Sequence, residues 1–346
     1  MKPFHIMAKP HGPICNLGCT YCYYLEKENL YAAKGRDYRM SDSVLESYIR
    51  QYIQSQPGQH VSFAWQGGEP TLLGVPFFER VLALQKKYAG GKTIENAFQT
   101  NGTLLDDQWG EFLARNKFLI GLSVDGPEEI HDAYRVDKGG QPTFARVMRG
   151  LEFLKKHGVE FNTLTVVHRK NSYRARDVYR FLKQIGSKYF QFIPVVEQMA
   201  AEPDPNGLVL LKPYARQQTT VSEWSVEPLQ FGKFLSSVFD EWVLSDVGRI
   251  FVQIFDVALE SWVGVPQSLC VFAPQCGSAP AGDACTAEGV GESDQRAGRN
   301  RAAQGVAFLL APAGPASVWR VTGGGADELA KMSRFGAGIC RGIHPC

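Results

Sequence analysis

FHIMAKPHGPICNLGCTYC, residues 4–22, decides how the rest of the chain is read. Its first seven residues (4–10) predict a strand that runs directly into a loop holding Cys15, Cys19 and Cys22 in C-x3-C-x2-C spacing. Asn16 and Gly18 are short turn formers, so the backbone there can wrap a small inorganic group. A cubane iron–sulfur cluster has four irons and is ordinarily held by four thiolates, so three cysteines leave one iron open. Zinc is the alternative, but it takes four ligands, commonly in C-x2-C pairs, and no second pair lies nearby. Three unliganded structural cysteines are the remaining account. The cluster reading is preferred, because a reduced loop of this spacing after a first strand has few other uses.

Working outward, strand-like and helix-like segments alternate. Ser41 and its neighbours cap a helix to about residue 56; strands follow at 60–68, 93–102, 118–126, 159–167 and 189–196. Between them lie helical patterns at 75–89, 107–115, 142–157 and 174–186. Six such β–α repeats predict an α/β fold with a parallel sheet and helices outside, a partial (β/α)6 TIM-like barrel. In such folds the C-terminal ends of the strands build the site, and here the first five carry polar or glycine-rich residues. A less regular stretch (197–228) precedes a helix over 229–245.

Composition limits the function. The chain has 346 residues, 44% of them hydrophobic, and a net charge of +2, which points to neither nucleic acid nor a membrane surface. No apolar run suits a signal peptide or a membrane span, so a cytoplasmic location is expected. There the eight cysteines are better read as metal ligands or free thiols than as disulfides.

Three further motifs sit at strand ends. In QGGEP (66–70), Gly67 and Gly68 allow close backbone approach to a ligand, and Glu69 offers a carboxylate to an ammonium group. An ordinary strand-to-loop turn would read the same way. In QTNG (99–102), the amides of Gln99 and Asn101 can hydrogen-bond a peptide or ligand, or form a simple Asn-Gly turn. SVDG (123–126) supplies the Ser123 hydroxyl, and Arg135 follows with a guanidinium suited to a carboxylate, or to a surface salt bridge.

CNLGCTYC resembles the signature of the radical S-adenosylmethionine (SAM) enzymes. That resemblance implies a [4Fe-4S] cluster on Cys15, Cys19 and Cys22 whose open iron is chelated by SAM. The ordered set CNLGCTYCYYLEKE, FAWQGGEPTL, QTNGTLLDD, GLSVDGPEEIHDAYR, TLTVV and FQFIPVVE is similar to the anaerobic sulfatase-maturating enzymes, over about residues 4–278. The resemblance implies oxidation of a cysteine or serine, within C/S-x-P/A-x-R of a nascent sulfatase, to Cα-formylglycine. It implies SAM contacts at Tyr21, Gly67, Gly68, Glu69, Ser123, Arg135 and Val196, and substrate contacts at Gln66, Gln99 and Asn101. A flavodoxin or ferredoxin would donate electrons. Two other functions remain open: another SPASM-type peptide modifier, or an inactive iron–sulfur protein derived from one.

The resemblance stops near residue 278. SLCVFAPQCGSA places Cys270 and Cys276 like the first two ligands of an auxiliary cluster, which the family carries in a C-terminal SPASM domain. No D-G-x-V-x-x-C-D segment follows, so the expected aspartate base is absent and the auxiliary clusters are in doubt. From Gly277 onward, Gly and Ala supply 27 of 70 residues, no tyrosine occurs, and Lys:Arg changes from 16:14 to 1:6. A frame shift just after Ser278 would produce that change. The expected organisation is a radical SAM core (1–228), a helical linker opening the SPASM domain (229–278), and an irregular, poorly ordered tail (279–346). Exposed apolar surface is expected near 250–278, where the absent domain would pack.

Overall fold

The structure, a computed structural model, describes residues 4–25, 38–200, 202 and 219–264. Six strands follow in order: β1 (Met7–Ala8), β2 (His60–Trp65), β3 (Thr93–Thr100), β4 (Leu119–Ser123), β5 (Phe161–Val167) and β6 (Tyr189–Pro194). A hairpin, β7 (Gln198–Ala200) with β8 (Thr219–Val221), precedes a short β9 (Phe251–Val252). β1 to β6 and β9 form one parallel sheet in which sequence neighbours are also spatial neighbours. An order without a switch point is that of a barrel wall, not of a doubly wound sheet.

The crossovers run through α1 (Asp42–Ser55), α2 (Val75–Tyr88), α3 (Asp107–Arg115), α4 (Glu128–His131), α5 (Phe144–Lys156) and α6 (Ala175–Gln184). α7 (Pro228–Ser245) and α8 (Gln253–Trp262) follow. Local chemistry starts several of them. Ser41 Oγ accepts from the Val44 amide at the head of α1, and Asp106 Oδ1 from the Trp109 amide at the head of α3. Proline stands in the first turn of α2 and α7, where its missing N–H costs nothing.

Two apolar cores seal the helices to the sheet. One gathers Phe63, Trp65, Phe78, Phe98 and Phe118; the other gathers Leu122, Tyr179, Phe190, Phe234 and Trp242. A third, small group comprises Ala97, Leu164 and Ile193 with Met7 and Leu119, on the opposite face. Side chains alternate along a strand, so Gln99 and Ser123 share the face of Ala97 and Leu119. That inner face carries the polar residues.

The structure departs from expectation at the ends of the sheet. β1 keeps two residues where seven were expected, because it pairs on one side only and Pro10 cannot donate to a ladder. The sheet has seven strands, not six; β9 is too short to leave a period in the sequence. The stretch read as irregular contains β7 and β8. Leu259, Trp262 and Val263 are exposed at the end of α8. Residues 265–346, including Cys270, Cys276 and the proposed frame-shifted tail, lie outside the described residues.

Candidate metal centre

The three-cysteine loop leaves the C-terminal end of β1 through tight turns, in which the Gly12 amide donates to Lys9 and the Ile14 amide to His11. Cys15, Cys19 and Cys22 are all free thiols. Burial is the main force on each. It pushes Cys15 and Cys19 up to about 12 and Cys22 up to about 11. The thiols also act on one another: Cys19 raises Cys15, Cys22 raises Cys19 and Cys15 raises Cys22. Cys19 is buried and Cys15 and Cys22 half-buried, and thiols that would repel one another as thiolates ionise readily beside a cationic group such as iron. Among the described residues no group of His, Cys, Asp or Glu is placed to hold a single metal ion. A cluster asks for something different, since each thiolate takes its own iron. Three thiols give one ligand to each of three irons, one fewer than the four that a structural zinc ion takes.

The glycine turn after β2 lies directly against this loop. The Gly68 amide donates to the Gly12 carbonyl (2.9 Å) and the Glu69 amide to the Ile14 carbonyl (2.8 Å). Gly67 takes φ +138°, a conformation that other residues rarely adopt, and a Cβ on Gly68 would lie 1.9 Å from the Ile14 oxygen. Glu69 is 1% exposed. Its Oε1 accepts from the Thr71 amide (3.0 Å), Thr71 Oγ1 (2.6 Å) and Thr100 Oγ1 (2.8 Å); its Oε2 accepts from the Asn101 amide (2.8 Å). Burial raises its pKa, and those hydrogen bonds resist the shift. Glu69 thus ties the end of β2 to the end of β3.

Gln66 and Gln99 meet each other across β2 and β3, Nε2 to Oε1 at 2.5 Å. Asn101 is buried and turned toward the cysteines instead. Its Nδ2 reaches Asn16 Oδ1 (2.9 Å) and Cys15 Sγ (3.7 Å), while its Oδ1 accepts from the Thr103 amide and hydroxyl. Its side-chain amide thereby braces the cysteine loop. Ser123 is buried at the end of β4, and Val196 is exposed beyond β6.

Arg135 is in a salt bridge, but a buried one. Its Nε and Nη2 donate to Asp125 at 2.9 and 3.1 Å. Asp125 is fully buried; it also accepts from the Tyr21 hydroxyl and from the Val166 amide (3.0 Å). Burial opposes its charge, yet Arg135 and His168 hold its carboxyl below the usual range. His131 and His168 lie behind it, kept neutral by burial with pKa values near 3 and 4. Sequence reading missed Asp125 as a functional residue, although it stands inside the SVDG motif ten residues before Arg135. His168 belongs to no recognisable motif, and Thr71, though inside the quoted FAWQGGEPTL segment, was not singled out.

The Radical SAM superfamily matches residues 9–182. The chain is 47% identical, over 278 residues, to a serine-type anaerobic sulfatase-maturating enzyme of Bacteroides thetaiotaomicron, covering 80% of this chain and 66% of that protein. It is 37% identical, over 279 residues, to a cysteine-type enzyme of Clostridium perfringens, covering 80% and 70%. The solved structure of native anSMEcpe with bound AdoMet and Cp18Cys peptide superposes with a TM-score of 0.65 at 37% identity, over 78% of this chain and 68% of that one. The chain belongs to the radical SAM superfamily. Within it, the family is that of the anaerobic sulfatase-maturating enzymes. The chain spans slightly less than two thirds of the Bacteroides protein. Among the described residues no helix is long and apolar enough to cross a membrane.

Proposed function

We propose that this chain carries the radical half of a sulfatase-maturating reaction, the oxidation of a sulfatase cysteine or serine to Cα-formylglycine. The observation that carries the reading is the seating of a loop with three free thiols, Cys19 buried and Cys15 and Cys22 half-buried, against the glycine turn at the C-terminal edge of a parallel sheet. Cys15, Cys19 and Cys22 would hold a [4Fe-4S] cluster with one iron left for SAM. When bound, that pair supplies a 5′-deoxyadenosyl radical able to take a hydrogen atom from an unactivated carbon.

The remaining work falls to the chain. Gly67 and Gly68, packed on the cysteine loop, would bring the turn's backbone beside the methionine end of SAM. Glu69, raised by burial, gains from a cation beside it, and the SAM ammonium is such a cation. Ser123 and Val196 stand at the ends of β4 and β6, where they would contact the nucleoside; Tyr21 and Arg135 would fix its other side. Gln66 and Gln99, on the inner face, would meet the substrate peptide. A base and a second electron acceptor would have to come from the segment after residue 264, where the sequence offers Cys270 and Cys276 as a partial auxiliary-cluster pair and lacks the expected aspartate. A flavodoxin or ferredoxin would deliver the reducing electron.

The test uses the full chain, reconstituted anaerobically with iron and sulfide, with SAM and dithionite. 5′-Deoxyadenosine should form, and a C/S-x-P/A-x-R peptide should lose mass. Deoxyadenosine without peptide oxidation would locate the defect in the C-terminal segment. Neither product would remove the proposed activity.

A further inference from the structure

Cys19 and Arg135 stand opposite each other. The cysteine loop pairs antiparallel with the segment after α4: Leu17 bridges Asp137, the Gly18 amide donates to the Val136 carbonyl (2.9 Å), and the Thr20 amide to the Tyr134 carbonyl (2.9 Å). That register sets Cys19 against Arg135. The Arg135 guanidinium also lies 5.5 Å over the ring of Tyr21, whose hydroxyl donates to the Asp125 carboxylate that pairs Arg135. Backbone and side-chain anchors of the loop thus converge on one buried ion pair, 7% and 0% exposed.

We propose that the Asp125–Arg135 pair sets the electrostatics of the cluster site, with Asp125 cancelling the Arg135 charge and so holding the cluster's reduction potential down. This rests on the cluster reading of Cys15, Cys19 and Cys22. The potential of an iron–sulfur cluster follows the charge, hydrogen bonding and burial around it. A one-electron reduction adds negative charge, which a bare guanidinium nearby would favour. In a dry site few solvent dipoles screen that effect. Asp125 is a positioning residue here; it touches Tyr21 and Arg135, not the thiols.

The charge balance makes a test with two opposite signs. The full chain and its variants are reconstituted anaerobically, their iron is counted, and the cluster is titrated with dithionite and followed by electron paramagnetic resonance. Asp125→Asn leaves Arg135 uncompensated and should raise the midpoint. The ratio of reduced to oxidised cluster at a fixed potential should rise about tenfold, or about 59 mV for a one-electron couple. Arg135→Gln leaves Asp125 alone and should lower the ratio by a similar factor. The double variant restores neutrality and should return to within about threefold of wild type. Mere loosening of the loop would move both single variants the same way, with no return in the double, and would overturn the inference. So would unshifted midpoints. If Asp125→Asn does not fold, Arg135→Gln should still lower the ratio while the double variant stays within about threefold of wild type. Wild-type chain that binds no iron would remove the cluster reading and this inference with it; loaded clusters of equal potential would remove this inference alone.

Discussion

Gly68→Ala tests the closest contact between the glycine turn and the cysteine loop. An added Cβ would stand 1.9 Å from the Ile14 oxygen, 2.3 Å from the Ile14 carbonyl carbon and 2.6 Å from the Pro13 oxygen. Real Cβ contacts stay above 3.0 Å, so the two segments must part by at least 1.1 Å (3.0 − 1.9). The obstacle is backbone, which cannot swing aside like a side-chain end. The amide bonds from Gly68 to Gly12 and from Glu69 to Ile14 lie in the same contact. Losing both costs about 2 kcal/mol, and the overpacking adds about 1–3 kcal/mol. Because Cys15 follows Ile14 directly, the shift moves the first thiol. A misplacement of about 1 Å can cost on the order of 100-fold in rate. Thermal unfolding, iron content and the rate of 5′-deoxyadenosine formation together read the effect. All three should fall, the rate most. A variant with wild-type melting temperature and wild-type turnover would refute the claim that the turn and the loop touch this closely.

His168 is buried and neutral at a pKa of about 4, so the unfolded chain takes up its proton first as pH falls below about 6.5. Its folded pKa is depressed, so wild type should lose stability relative to His168→Gln by about 1.4 kcal/mol per pH unit between about pH 6 and 4, read by urea unfolding. Comparison within the pair is needed because half-buried Asp256, raised to about 7 by desolvation, pulls the other way in the same window. Asn96 joins the Trp65 indole (2.8 Å) to Gln85 (2.9 Å) in the core; Asn96→Leu should cost about 2–4 kcal/mol by leaving two buried polar groups unpaired, measured by chemical denaturation. The gene read in the other two frames downstream of codon 278 should restore D-G-x-V-x-x-C-D and the later cysteines; an open reading without them in either frame would refute the frame shift.

Much of the fold was legible because parallel strands and amphipathic helices leave strong local periods. The predicted helices over 75–89 and 107–115 lie within a residue of α2 and α3. Ser41 and Asp106 mark helix starts by a hydrogen bond only a few residues long, which local sequence records. β9 and the β7–β8 hairpin were not legible: two or three residues carry no measurable period, and their pairing depends on strands far away in the chain. In the site, the thiols and the glycine turn were readable because their chemistry needs particular residue types at short spacing. The hydrogen bond from Asn101 to Asn16, 85 residues earlier, was not legible, since nothing in QTNG records which distant side chain its amide meets.

By itself the sequence determined the three-thiol loop, the run of β–α repeats and the place where the family pattern ends. Each depends on residue type and short-range spacing, and those survive in a linear string. Only the tertiary structure decided how charge is arranged around the thiols. Asp125, Arg135 and Tyr21 lie up to 114 residues apart (135 − 21), yet share one buried carboxylate. Whether a guanidinium is free for a ligand or already neutralised depends on which side chain folding brings against it, and on how little water remains there to screen the pair.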